Sequence, residues 1–276
     1  MLRLVALGAI WGGAFLFLRV AAPVLGPVVT ADARLLVAAA GLALWLRLTG
    51  FRPQWRRFGS HYTLVGLMNS GIPFLLYGYA ALALTAGQMA VLNATSTMWG
   101  AIFAALLLGE RLSAGRGAGI VLGLAGVALI AQPKGESVPL VAVAAALAAS
   151  GFYGLAAVYL RRWARGAPGK GMALGTQVTS GLLLLPFAAL APPPAAPSGL
   201  VVAAVLALGL LCGAVAYVLY FRLIADIGAS GALTVTYLVP LFGMLWGALF
   251  LGEATTAAML GGAALVIAGT VLVLRN

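Results

Sequence analysis

Cysteine and histidine are each represented once in this 276-residue chain, as Cys212 and His61. No disulfide can close within the chain, and a metal site built from several Cys and His ligands is excluded. Acids are nearly as scarce, with Asp32, Glu110, Glu136, Asp226 and Glu253 making up the whole set. A hydrolytic or transfer enzyme needs a nucleophile with its base, a metal cluster, or paired acids converging on one point. Those constellations cannot be assembled here, so no enzymatic activity and no cofactor are expected. Charge of either sign is also sparse, at 8% of residues, against about 25% in domains whose surface is solvated by water.

Apolar length is what the chain has in excess. Hydrophobic residues make up 63% of it, and the mean hydropathy is +1.11. Such a surface needs an apolar solvent, so the fold is expected to be an all-α integral membrane protein in contact with lipid. Punctuation by charge, Pro and Gly divides the chain into ten runs. They fall at about 4–21, 28–48, 62–84, 87–108, 115–132, 139–160, 170–190, 199–222, 229–251 and 256–274, each close to the roughly 20 residues that span a bilayer. Arg3 before the first run resembles a signal peptide, with Val20-Ala21-Ala22 as a cleavage site, but a repeat that retains Trp11, Gly12 and Arg19 favours a first transmembrane helix.

The formal net charge of +11 is explained by topology and not by nucleic acid. With the N-terminus cytoplasmic, the inner segments hold Arg3, Arg47, Arg52, Arg56, Arg57, Arg111, Arg116, Arg161, Arg162, Arg165, Lys170, Arg222 and Arg275. Only Arg19, Arg34 and Lys134 fall on or near the outer side. The bias predicts an even number of spans with both termini cytoplasmic.

Internal similarity sets the architecture. A shift of 143 positions places Gly100 and Leu108-Gly109-Glu110 on Gly243 and Leu251-Gly252-Glu253, Gly119 on Gly262, Ala125-Gly126 on Ala268-Gly269, and Tyr77 on Tyr220. A shift of 142 places Gly12 on Gly154, Arg19 on Arg161, and Trp11 on Tyr153. Residues 1–133 and 138–276 therefore read as two repeats of five helices within one membrane domain. Five is odd, so the second repeat enters the membrane inverted. That arrangement is a hallmark of secondary transporters, with the site near the midplane between the halves. A channel would instead repeat subunits around a polar ring.

These residues carry a family resemblance. Trp11-Gly12-Gly13-Ala14-Phe15, Arg34-Leu35-Leu36 near the start of the second helix, and the two Leu-Gly-Glu turns resemble the drug/metabolite transporter superfamily, in its EamA-type branch of ten-helix permeases. In overall pattern the chain is most similar to YddG-like bacterial amino-acid exporters. The resemblance implies a multi-pass permease of the bacterial cytoplasmic membrane that exports small metabolites by alternating access. Neutral amino acids, aromatic ones included, are the implied cargo, with drugs or other metabolites as the alternative. A monomer or weak homodimer is expected.

Polar and aromatic residues away from the helix ends are the candidate substrate contacts. Asn69 precedes Pro73, whose missing N–H frees a carbonyl in mid-helix. Asn93, Ser96 and Thr97 share one helical face, which should look inward. Trp11, Tyr77, Tyr79, Trp99, Tyr153 and Tyr237 lie where an indole or phenol can line a cavity, whereas Trp45, Trp55, Tyr62 and Trp163 fit the membrane interface. Every acid sits at or beyond a predicted helix end. This leaves movement down a gradient, or a coupling that the sequence does not show, as the expected mode, since proton coupling usually places an ionisable group within the membrane. Asp32 and Arg34, close to the outer boundary, are the ionisable groups that could line a cavity. Glu110 and Glu253 are expected to bond free amides in helix–helix turns capped by Ser113 or Thr255. The glycines at 119 and 123 are expected to pack neighbouring helices.

Overall fold

A computed structural model describes residues 1–131 and 139–275. Lys134, Glu136 and the boundary between the two expected repeats lie outside the described residues. Within them the chain is helical throughout, without strands. Eight stretches are long and apolar enough to cross a membrane.

The chain begins with α1 (Leu2–Leu48), whose axis breaks at Gly26, at φ 78°. Next come α2 (Trp55–Gly66), a π-helical turn (Leu67–Gly71) and α3 (Ile72–Ala80), without interruption. The segments α4 (Ala86–Ala94) and α5 (Ser96–Leu108) meet at Thr95, and α6 (Ala114–Ala131) follows. Beyond residue 139 stand α7 (Leu140–Arg162), α8 (Gly169–Leu190) and α9 (Gly199–Leu206), which continues through a π-helical stretch (Ala207–Val215) into α10 (Ala216–Leu233). The chain ends with α11 (Val235–Leu251) and α12 (Ala257–Arg275). The Pro192-Pro193-Pro194 stretch lies between α8 and α9, where proline cannot continue a helix.

The repeated Leu-Gly-Glu turns have a backbone cause. Gly109 and Gly252 end α5 and α11 in the left-handed region, at φ 69° and 63°, where a Cβ is strained. The N–H of the following glutamate then turns back to a carbonyl of the helix, Glu110 to Ala104 at 3.4 Å and Glu253 to Gly247 at 3.1 Å. The next helices are capped by Ser113 and Thr256, whose hydroxyls accept from Arg116 N and Met259 N. The second cap is thus Thr256, one residue beyond the expected Thr255.

Contacts between the sequence repeats are crosswise. In α6 and α12, a methyl at Gly119 would lie 2.6 Å from the Gly269 carbonyl oxygen, and one at Gly126 would lie 2.6 Å from that of Gly262. Under the 143-residue shift these two contacts exchange. Lipid supplies no hydrophobic force between helices, so such close backbone approach, with its dispersion contacts, is what holds them. The ion pairs behave likewise. Arg19 meets Glu253 at 3.2 Å, and Arg161 meets Glu110 at 2.6 Å. Glu253 also accepts the N–H of Ala86 at 2.8 Å, so the free amide it satisfies begins α4 and not the helix that follows it.

Candidate functional site

A cavity of about 500 Å³ lies among α1, α3, α4, α7, α8 and α10. Both parts of α1 reach it, Trp11 and Phe15 before the break and Arg34 after it. Opposite them stand Phe74 and Tyr77 of α3, Tyr153 of α7, and Tyr217 and Tyr220 of α10. The aromatic rings support one another: Trp11 and Tyr220 have centroids 5.5 Å apart, and Tyr77 stacks on Tyr153 at 6.2 Å. Such pairing fixes the rings as walls.

Three amides enter this aromatic frame, Asn69, Asn93 and Gln177. Asn69 stands in the π-helical turn ahead of Pro73. A ring at Pro73 would meet the carbonyl of Asn69 in a regular helix, and the turn relieves this by bonding Ile72 N–H to Leu67 O. Gln177 donates to Ser70 Oγ at 3.0 Å. The Tyr77 hydroxyl directs its proton to Ser150 Oγ at 2.8 Å and lies 3.3 Å from Asn93 Oδ1. The Ser150 proton is already committed, to the carbonyl of Leu92 or Ala146.

Arg34 is the cavity's cation. Expected near the outer boundary, where it could line a cavity, it is 7% exposed and does line one. Its guanidinium carbon stands 3.6 Å from the Phe74 ring centroid. Among the described residues it makes no ion pair, and none of their acids lines the cavity. Asp32 is buried too, inside α1 and not at a helix end, but two positions along a helix is the wrong spacing for it to face Arg34.

Of the nine candidate contacts, the structure brings Trp11, Asn69, Tyr77, Asn93 and Tyr153 together around the cavity. The other four stand elsewhere. Tyr79 follows Tyr77 by two residues, about 200° around the helix, and is 46% exposed. Thr97 does not share a face with Asn93 and Ser96, because the helix is interrupted at Thr95. Its hydroxyl turns to Ala94 O at 3.1 Å and to Thr270 Oγ1 at 3.4 Å. Trp99 stacks on Phe103 at 5.9 Å and covers Gly151 and Gly154 of α7. Tyr237 is one residue past the lining Thr236, about 100° off that face. Tyr62, expected at the interface, is fully buried against Trp55. Gln177, Tyr217 and Tyr220 also line the cavity and were not among the nine candidates: both tyrosines lie away from helix ends in the sequence, but one amide in an apolar run carries no signal of its own.

At one end the lining reaches Leu160, Ala167, Gly169 and Leu233. The first three neighbour the basic cluster Arg161, Arg162, Arg165 and Lys170 in the sequence.

Comparison with known proteins places this geometry. The model of the EamA-like transporter family matches the chain twice, over residues 1–132 and 140–275. A protein of Streptantibioticus cattleyicolor named a probable terminal-alkyne amino-acid exporter is 27% identical over 272 residues, covering 96% of this chain and 90% of its own. A protein of Archaeoglobus fulgidus named an uncharacterized transporter is 29% identical over 285 residues, covering 95% of this chain and 93% of its own. A solved crystal structure shares the fold at a TM-score of 0.68, with 22% identity, covering 98% of this chain and 94% of its own. With two family matches that between them take in all but a short central stretch, the chain belongs to the EamA-like transporters, within the drug/metabolite transporter superfamily.

Proposed function

We propose that this chain is a secondary transporter that exports neutral amino acids, aromatic ones included, by alternating access across a bacterial cytoplasmic membrane. The observation that carries the reading is the cavity, whose aromatic walls hold three amides and one guanidinium. Aromatic walls alone would suit many apolar drugs, the runner-up cargo. Amides and a guanidinium suit a solute with polar ends. The name of the Streptantibioticus relative, a probable amino-acid exporter, supports the same class of cargo.

Ten spans follow if Leu2–Leu48 is divided at Gly26 and the continuous segment from Trp55 to Ala80 is added to the other long helices. The crosswise glycine contacts and ion pairs support two inverted five-helix repeats, since each contact exchanges with its counterpart under the sequence shift. Both termini are then cytoplasmic by the placement of basic residues. The cavity reaches helix ends beside Arg161 and Lys170, the cytoplasmic side in this topology, so it is loaded from within. The Arg19–Glu253 pair closes the opposite side. The protein works as a monomer or weak homodimer.

Reconstituted in liposomes, the protein should show saturable uptake of labelled neutral amino acids, competed by aromatic ones and lost in Trp11→Ala and Asn93→Ala. No uptake of any amino acid, in vesicles shown to hold folded protein, would overturn the cargo and put drug or metabolite export first.

A further inference from the structure

Among the described residues no acid balances the charge of Arg34. An arginine that is 7% exposed and bordered by lipid-buried helices normally finds a carboxylate, because an unpaired charge in such a site is costly. Here the acids follow a different plan. Glu110 and Glu253 are engaged with Arg161 and Arg19, and Asp226 with Arg3. Asp32 is absent from the lining and sits at the wrong helical spacing.

The geometry around Arg34 is that of a recognition site. Phe74 covers one face of the guanidinium, with 3.6 Å from its carbon to the ring centroid. Stacking of this kind orients the plane and leaves the N–H edges free for a flat, bidentate anion. The guanidinium nitrogens are absent from the side-chain atoms that are both sealed from solvent and unbonded, so they open to the cavity. Among the described residues no equivalent acid lines the cavity for an ammonium group. An amine in this cavity would meet neutral groups: ring faces such as Trp11 and Tyr153, amide oxygens, and hydroxyls such as those of Ser96 and Tyr217.

We propose that Arg34 is the carboxylate anchor of the cavity, and that the carboxylate of the cargo is required whereas its amino group is dispensable. The inference rests on the transport reading above and narrows it: monocarboxylates with an apolar or aromatic tail are accepted, and amides, esters and free amines of the same shape are rejected.

Four ligands of one shape separate the two groups: phenylalanine, phenylalaninamide, 3-phenylpropionate and 3-phenylpropionamide. Titration calorimetry on the purified full chain reads their affinities. Each acid should bind about tenfold or more tightly than its amide, the scale of a charge-assisted hydrogen bond. Removing the amino group should cost no more than about threefold, as expected of a cation–π contact. Arg34→Gln should reduce the preference for acid over amide to within about threefold, and Arg34→Lys should keep part of it. The comparison within the unaltered protein stands even where Arg34→Gln fails to fold.

Equal binding of acid and amide by the unaltered protein overturns the anchor, as does full acid preference in both Arg34 variants, or binding of none of the four by folded protein. Binding of 3-phenylpropionate without phenylalanine keeps the anchor and removes the amino-acid reading. Binding of phenylalanine and its amide alike does the reverse.

Discussion

Glu253→Gln and Glu110→Gln change positions that correspond in the sequence repeat, and both remove an acid from an arginine pair, but they should differ severalfold in cost. Around Glu253 the side chain is 10% exposed and Arg19 is 30% exposed. Its two oxygens also serve separate partners, Arg19 Nε at 3.2 Å and the Ala86 N–H at 2.8 Å. Glutamine leaves the guanidinium without its anion in a poorly hydrated site, which for fully buried pairs costs about 3–5 kcal/mol. Partial exposure reduces this to roughly 2–3 kcal/mol, because water screens part of the charge. Around Glu110 the exposures are 36% for it, 50% for Arg161 and 27% for its second, more distant partner Arg116 at 3.5 Å, so the loss should be no more than about 1 kcal/mol. Thermal unfolding in detergent micelles is the assay. At about 2–4 °C per kcal/mol, the expected fall is roughly 4–12 °C for Glu253→Gln and below about 4 °C for Glu110→Gln. Raising salt to high concentration should remove most of the smaller effect and little of the larger. Equal shifts for the two variants, or equal salt sensitivity, would refute the argument that burial sets the difference.

Four further outcomes are expected. Gly154→Ala places a methyl 2.6 Å from Gly100 N and 2.7 Å from Trp99 Cβ, so it should lower stability by about 1–3 kcal/mol in the same assay. Gly117→Ala, in α6 with nothing within 4 Å of the added carbon, should instead raise stability by up to about 1 kcal/mol. Tyr77→Phe removes the proton directed to Ser150, costing about 0.5–1.5 kcal/mol in the unfolding assay. Tyr79→Ala should leave uptake unchanged in the liposome assay, while Trp11→Ala abolishes it; a loss with Tyr79→Ala would place the site on the other face of α3.

The general layout was legible because its signals are repeated along the chain. Apolar runs follow from bilayer thickness, and the Leu-Gly-Glu turns from a backbone angle that glycine tolerates. Trp11, Asn69, Tyr77, Asn93 and Tyr153 could be picked out by one rule, that a polar or aromatic group in mid-membrane needs a protein or solvated neighbour. The rule says nothing about which way such a group turns. Thr97 shows why: its face was read from an uninterrupted helix, and the break at Thr95 rotates it toward Thr270. Tyr79 and Tyr237 fail for a simpler reason, a shift of one or two residues around a helix that is apolar on all sides. In lipid such a helix has no hydrophobic stripe to reveal its inner face.

The amino-acid sequence by itself determined that this chain must be helical and surrounded by lipid, because 8% charge cannot solvate a surface, and it marked Arg19, Arg161, Glu110 and Glu253 as repeated charges. Only the tertiary structure decided how those charges pair, Arg19 with Glu253 and Arg161 with Glu110, each across the repeats. It also decided that Arg34 stands beside Phe74 in the cavity, without an ion pair among the described residues. The physical reason is that a charge is recognisable from its residue type alone, whereas its neutralisation depends on which helices come within 4 Å of one another.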